Sequence, residues 1–153
     1  MLANMWYTFD MDVCIECKRP KKRYANKYCS NLCQTNYQYK QYIYFWQKGR
    51  EDGSRGVNAK NISRHLIRFL LEKYGERCSQ CGWDKKNPNT GKVPIEVDHI
   101  DGIADNNSED NLRLLCPNCH ALTPNFRNLN KGKGREWRNR NLIKRKAMQI
   151  LPT

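Results

Sequence analysis

CSQCGWDKKNPNTGKVPIEVDHIDGIADNNSEDNLRLLCPNCH, residues 78–120, carries two Cys-x-x-Cys pairs, Cys78/Cys81 and Cys116/Cys119. Between and beside them stand an Asp98-His99 pair, Asn111, and His120 directly after the last cysteine. Four thiolates at this spacing close a tetrahedral zinc site, so the residues they bracket are held as one small rigid unit. Within the bracket, Val93 to Ile100 alternates in strand fashion, with Ile95 and Val97 on one face and Glu96 and Asp98 on the other. A polar loop, DGIADNNSEDN, leads to Asn111, and Leu112 to Leu115 reads as a second short strand. Pro117 suits the first turn of a helix that presents Cys119 and His120 at its start. The expected order is strand, loop, strand, helix, a small zinc-stabilised α+β fold.

Upstream of this unit, Ile62, Leu66, Ile67, Leu70, Leu71 and Tyr74 recur at helical spacing, which predicts an amphipathic helix ending near Gly75. Its apolar stripe is expected to pack on the zinc unit, with Arg64, His65 and Arg68 off the stripe on a face open to solvent or nucleic acid. Residues 49–61, GREDGSRGVNAKN, have three glycines and no apolar periodicity and read as a linker. Residues 14–33 hold the remaining cysteines as Cys14, Cys17, Cys29 and Cys33, a second four-ligand pattern. Cys29 and Cys33 lie four apart, on one face of a helix opening near Ser30. That helix continues through an aromatic stretch, Tyr37, Tyr39, Tyr42, Tyr44, Phe45 and Trp46, whose rings either pack on the small module or stack on bases. The expected organisation is therefore a four-cysteine zinc finger with an aromatic helix in 1–48, a linker in 49–61, the main module in 62–130, and a basic C-terminal arm in 131–153.

The chain has 153 residues, and its mean hydropathy of −0.93 points to a thin apolar core that needs metal staples. All eight cysteines fall into close pairs. The N-terminus, MLANMWYTFDMDV, shows neither a basic start nor an apolar run, so no secretory signal is expected and a reducing, cytoplasmic setting favours zinc over disulfides. No apolar run approaches membrane-spanning length.

The formal net charge of +13 is unevenly placed. Residues 1–48 hold eight Lys/Arg against three acids and residues 131–153 hold eight against one, whereas residues 49–130 hold twelve against eleven. Glu96, Asp98, Asp101, Asp105, Glu109 and Asp110 lie in one stretch free of Lys and Arg. An acidic pocket between basic flanks suits a divalent cation gripped against a polyanion. Lys18, Arg19, Lys21, Lys22 and Arg23 in the first cysteine loop, and Lys131, Lys133, Arg135, Arg138 and Arg140 in the tail, are the candidate phosphate contacts.

CSQCGW, IEVDHIDG and NLRLLCPNCHALT, with Asn111 between the Asp-His pair and the final His, resemble the HNH endonuclease family, in the zinc-knuckle form often encoded by bacteriophages and including homing-type enzymes. The resemblance covers about residues 62–131; the N-terminal cysteine module resembles treble-clef-like fingers. It implies a ββα-metal nuclease module that hydrolyses phosphodiesters in double-stranded DNA, with nicking as the default for one site on a monomer and a double-strand break for a dimer. By this resemblance His99 is the general base, a role suited to imidazole. Asp98 and His120 hold a catalytic Mg2+ or Mn2+. Asn111 ties down the loop and orients the base, and two structural zinc ions sit in the four-cysteine clusters. Adjacent residues on a strand point to opposite faces, so Asp98 and His99 share a site only if the strand bends there. Many relatives place another His or Asn one turn after the last motif His; here that position is Pro124, which leaves the third ligand open among Asn125, Asn128 and water. Two other readings compete: a two-zinc DNA-binding module without activity, and an accessory of phage machinery such as the packaging terminase, active only in complex.

Overall fold

A computed structural model describes residues 13–22, 27–56 and 59–131. Helix α1 (Asn31–Gln47) begins where expected, because the Ser30 hydroxyl accepts a hydrogen bond from the Cys33 N–H at 3.2 Å. That bond satisfies one of the N–H groups a helix start leaves without a partner. Tyr39, Ile43 and Trp46 follow one another at helical spacing and form its buried side. Helix α2 (Arg64–Tyr74) is capped by the Ser63 hydroxyl and ends at Gly75, buries Leu66 and Leu70, and packs against α1.

The stretch expected as a linker has structure of its own. Strands β1 (Ser54–Gly56) and β2 (Ala59–Ile62) pair antiparallel across it. Residues before and after it also share one core: Tyr39, Ile43 and Trp46 of α1 meet Leu66 and Leu70 of α2 and Leu112 and Leu114 further on. A short linker between independent modules would leave the α1 aromatics in water. Here burial of Tyr39 and Trp46 favours joining the two sides.

Strands β3 (Glu96–His99) and β4 (Leu112–Leu115) pair antiparallel in unbroken register, from Glu96 opposite Leu115 to His99 opposite Leu112. β3 is shorter than the alternating pattern of 93–100 suggested. Pro94 has no N–H for a ladder, and Ile100 already lies in the turn that Gly102 closes by donating its N–H to the His99 carbonyl at 3.0 Å. Helix α3 (Pro117–Ala121) has Pro117 at its first position and Cys116 as cap. It stops before Pro124, with Leu122 at its C-cap. A second cluster, Cys78, Leu115 and Cys116 with Trp83, Ile95 and Cys119 against it, surrounds the second group of cysteines.

Part of the polar face of α2 meets α1, while Arg64 and Arg68 remain exposed. His65 lies against the rings of Tyr39 and Tyr42, at 6.0 and 5.1 Å between centroids. The Arg68 guanidinium covers Tyr39 at 4.0 Å, bonds Glu72 at 2.7 Å, and reaches Asn36 at 3.1 Å. Sequence periodicity marks these residues as off the apolar stripe, but the partner helix carries aromatic faces that attract cations. Since Leu70 has no exposure, Leu70→Ala is expected to destabilise the shared core by about 2–5 kcal/mol in a denaturant melt. A loss below about 1 kcal/mol would mean that α1 and α2 do not share one packed core.

Candidate functional site

The two cysteine groups are assembled by different local devices. In the first, a turn at Cys14–Cys17 is closed by the Lys18 N–H on the Cys14 carbonyl at 2.9 Å, and Cys33 arrives on the first turn of α1. In the second, Cys78 and Cys81 sit in a turn closed by Gly82, while Cys116 and Cys119 bracket the start of α3. The ligand atoms of each group lie within 4.8 Å of one another. Sulfurs about 2.3 Å from a tetrahedral ion stand about 3.8 Å apart. The separations are 3.5 Å for Cys17–Cys29, 3.4 Å for Cys29–Cys33 and 3.8 Å for Cys81–Cys116. All eight cysteines are free thiols, so both donor sets fit zinc.

The thiols are not alike. The Cys17 backbone N–H holds Cys14 down to about 6. Burial pushes the Cys78 thiol up, yet the N–H groups of Cys116, Cys81 and Gln80 outweigh it and bring Cys78 to about 6. Hydrogen bonds from neighbouring thiols push Cys29 and Cys119 up to about 12. Each set thus contains a ready thiolate and a thiol that surrenders its proton only when a cation replaces it.

Beside the second cysteine group, β3 and α3 bring three side chains to one face. His120 follows Cys119 on α3, and its ring meets β3: Nδ1 bonds the Glu96 carboxylate, and Nε2 stands 3.6 Å from Asp98 Oδ1. Asp98 is buried, and its other oxygen accepts from Arg113 Nε at 2.8 Å across the strand pair. Phe126 packs edge-on against the His120 ring at 5.2 Å. Two ligands about 2.1 Å from one ion stand roughly 3–3.6 Å apart, so Asp98 Oδ1 and His120 Nε2 fit adjacent positions on a divalent cation. Among the described residues no further cluster of three His, Cys, Asp or Glu ligand atoms accompanies them.

His99 has a different partner. The ring at the end of β3 reaches Asn107, with Nε2 2.9 Å from its Oδ1. Asn111, expected to tie down the loop and help orient this histidine, hydrogen-bonds the loop. Its Oδ1 accepts from the Asp101 N–H at 3.0 Å, and its Nδ2 donates to Asp101 Oδ1 at 2.9 Å and the Asn106 carbonyl at 2.8 Å. Burial pushes the Asp101 carboxyl up, but the Ile103 N–H and the side chains of Asn106 and Asn111 hold it below the usual carboxylate range. The loop is thereby anchored around a charged acid. Asn125 reaches the same loop, donating to the Ile100 carbonyl at 3.3 Å.

Residues 78–123 match the family model for HNH endonuclease. The HNH region therefore contains the second cysteine group, the Asp98-His99 pair, Asn111 and His120 together. The chain is also 46% identical over 82 residues to the H-N-H endonuclease F-TflIV of Escherichia phage T5, an alignment covering 50% of this chain and 34% of that protein. The chain thus covers about a third of the length of the curated relative it matches. No solved structure matches it.

Sequence reasoning named Glu96 only as part of the acidic stretch and did not single out Asn107 or Arg113. The strand alternation already placed Glu96 and Asp98 on one face, which was the available signal for Glu96. Arg113 could be found only from the β3–β4 register, and Asn107 is one polar residue in a loop of similar ones. Of the basic candidates, Lys18, Arg19 and Lys22 are exposed, Lys21 is half-buried and Lys131 is exposed. Arg19 lies against the Cys17 thiol, whose hydrogen bond and charge raise its pKa. Arg23, Lys133, Arg135, Arg138 and Arg140, and the arm beyond Lys131, fall outside the described residues. No helix among the described residues is long and apolar enough to cross a membrane.

Proposed function

We propose that this chain is a metal-dependent DNA endonuclease that nicks double-stranded DNA through a ββα-metal site built from β3, β4 and α3. The observation that carries this reading is the pairing of Asp98 Oδ1 with His120 Nε2 at 3.6 Å, while the other ring nitrogen of His120 is held by Glu96. A carboxylate on one imidazole nitrogen fixes the ring so that the other presents its lone pair, the usual arrangement of a metal-binding histidine. A divalent ion, magnesium or manganese, held by Asp98 and His120 would supply charge neutralisation at the scissile phosphate and the departing oxygen. His99, the general base, takes the proton of the attacking water. Arg113 keeps Asp98 oriented, and Asn111 keeps the loop after the Asp-His pair folded back. The expected ends are a 5′-phosphate and a 3′-hydroxyl.

The two four-cysteine groups serve as structural zinc sites, and the second fixes the start of the helix that presents His120. Phosphate contacts come from the basic first cysteine loop and from the arm that begins at Lys131. Truncation after Asn130 is expected to flatten the dependence of log Kd on log salt, since each phosphate neutralised contributes about 0.9 to that slope. An unchanged slope in the truncated chain would exclude the arm. The match to a phage enzyme supports action in the cytoplasm of an infected host cell.

The test is cleavage of supercoiled plasmid by the purified zinc-loaded chain with magnesium, manganese or nickel, followed by mapping of the cut ends. Relaxed circles with 5′-phosphate ends are expected. Intact plasmid under every ion would contradict the reading and leave a binding-only module, or an accessory that cuts only with a partner.

A further inference from the structure

Asn107 is 3% exposed and has every polar atom of its side chain engaged. Its Nδ2 lies 2.9 Å from the Asp52 carbonyl and 3.4 Å from Ser54 Oγ, and its Oδ1 lies 2.9 Å from His99 Nε2. Its backbone carbonyl accepts the Trp46 indole N–H at 3.1 Å. A backbone carbonyl can only accept, so the atom facing Asp52 is the amide nitrogen, and the atom facing His99 is the amide oxygen. An amide oxygen also only accepts, so His99 Nε2 must carry the hydrogen. A neutral imidazole with its hydrogen on Nε2 has its lone pair on Nδ1.

We propose that Asn107 is a positioning residue that locks His99 in the Nε2–H tautomer with Nδ1 as its basic nitrogen, and that residues 46–54 hold Asn107 in place. The inference rests on the endonuclease reading for its effect on rate, though not for the tautomer itself. It extends the active site beyond the HNH region at 78–123, because Trp46 and the Asp52–Ser54 turn lie before that region in the chain. The turn is fitted closely to its load. Gly53 has a φ of +76°, and a Cβ there would come within 2.5 Å of the Asn107 Cβ. Ser63 N–H bonds the Gly53 carbonyl at 2.8 Å, so the turn is fastened to the start of α2 and cannot simply swing away. An ionised aspartate here would keep the acceptor for the ring but offer no donor to the turn, whereas the amide supplies both.

The wild-type, zinc-loaded full chain, labelled with 15N, gives the tautomer directly from the His99 ring nitrogen shifts, assigned by their loss in His99→Ala. Above the imidazole titration range a neutral ring with hydrogen on Nε2 is expected; a ring with hydrogen on Nδ1 overturns the proposal whether or not the variants fold. Asn107→Leu removes the acceptor, and Gly53→Ala pushes Asn107 aside from a distance in sequence. Both are expected to give a mixed tautomer and to lower kcat for plasmid nicking about 10- to 100-fold with KM little changed. Asn107→Asp keeps the acceptor and is expected to retain the Nε2–H ring and more of the rate than Asn107→Leu. Wild-type rates and an unchanged tautomer in folded Asn107→Leu and Gly53→Ala would refute the positioning role. Failure of the wild-type chain to cut any plasmid strikes the endonuclease reading instead, and the ring shifts still decide where Asn107 holds the histidine.

Discussion

His99→Ala is expected to lower the plasmid-nicking rate by about 10²- to 10⁴-fold, the range supplied by a positioned general acid or base. Hydroxide could replace the lost proton acceptor only at high pH, so the residual rate should rise with pH more steeply than in the wild type. The fold should survive. The ring sits at the end of β3, outside both buried clusters, and among the described residues its hydrogen-bond partner is Asn107. Leaving that amide oxygen without its donor costs on the order of 1–3 kcal/mol. The melting temperature should therefore fall by several degrees, whereas the zinc content and DNA retardation in a gel should stay close to wild type while cleavage collapses. Undiminished cleavage in His99→Ala would remove the base from the mechanism. Asp98→Ala would give a less clean comparison, because it also strips Arg113 of its carboxylate partner in a part-buried pair.

Cys78→Ser is expected to have the largest effect on the fold. Cys78 is almost fully buried, and Leu115, Cys116, Trp83 and Ile95 gather around it with little other apolar material. Structural zinc in small modules contributes about 10–16 kcal/mol of binding free energy, comparable with or larger than the roughly 5–15 kcal/mol by which a whole domain is stable. A serine oxygen is a far poorer zinc ligand than a thiolate, so most of that contribution is lost. The variant should hold about one zinc per chain instead of two and lose the cooperative melting of the β3–β4–α3 region, and with it all cleavage. Zinc content by elemental analysis together with a melting curve checks this. Two zinc ions per chain and an unshifted melt would contradict the structural role of the second cysteine group. By contrast Ser30→Ala, which removes only a helix cap, falls near about 1 kcal/mol.

Much of this arrangement is legible in the chain because it is set by short-range chemistry. Cysteine spacing fixes the two sulfur clusters, Ser30 and Ser63 mark two helix starts, and Pro117 marks a third. The alternation around Val97 finds the strand that carries Asp98. What escapes is set by contacts between residues far apart. β1 and β2 have three and four residues and little alternation, so their pairing emerges only from the packed structure. Asn107 meets Asp52 and Trp46 across 55 and 61 positions, and no local pattern separates it from Asn106 beside it. The Asn111 side chain bonds the Asp101 loop, and the hydrogen-bond partner of the His99 ring is Asn107.

The central claim is that two kinds of metal site work side by side: tightly held zinc that makes the fold, and an exchangeable ion between Asp98 and His120 that serves the chemistry. Plasmid nicking by zinc-loaded chain, before and after addition of magnesium or manganese, with zinc counted in the same samples, tests it most directly. The account predicts about two zinc ions per chain throughout, no cleavage before the addition, and nicking after it that disappears in His120→Ala while the zinc remains. Cleavage without any ion beyond the two zincs, or activity that follows zinc loss and return, would contradict it.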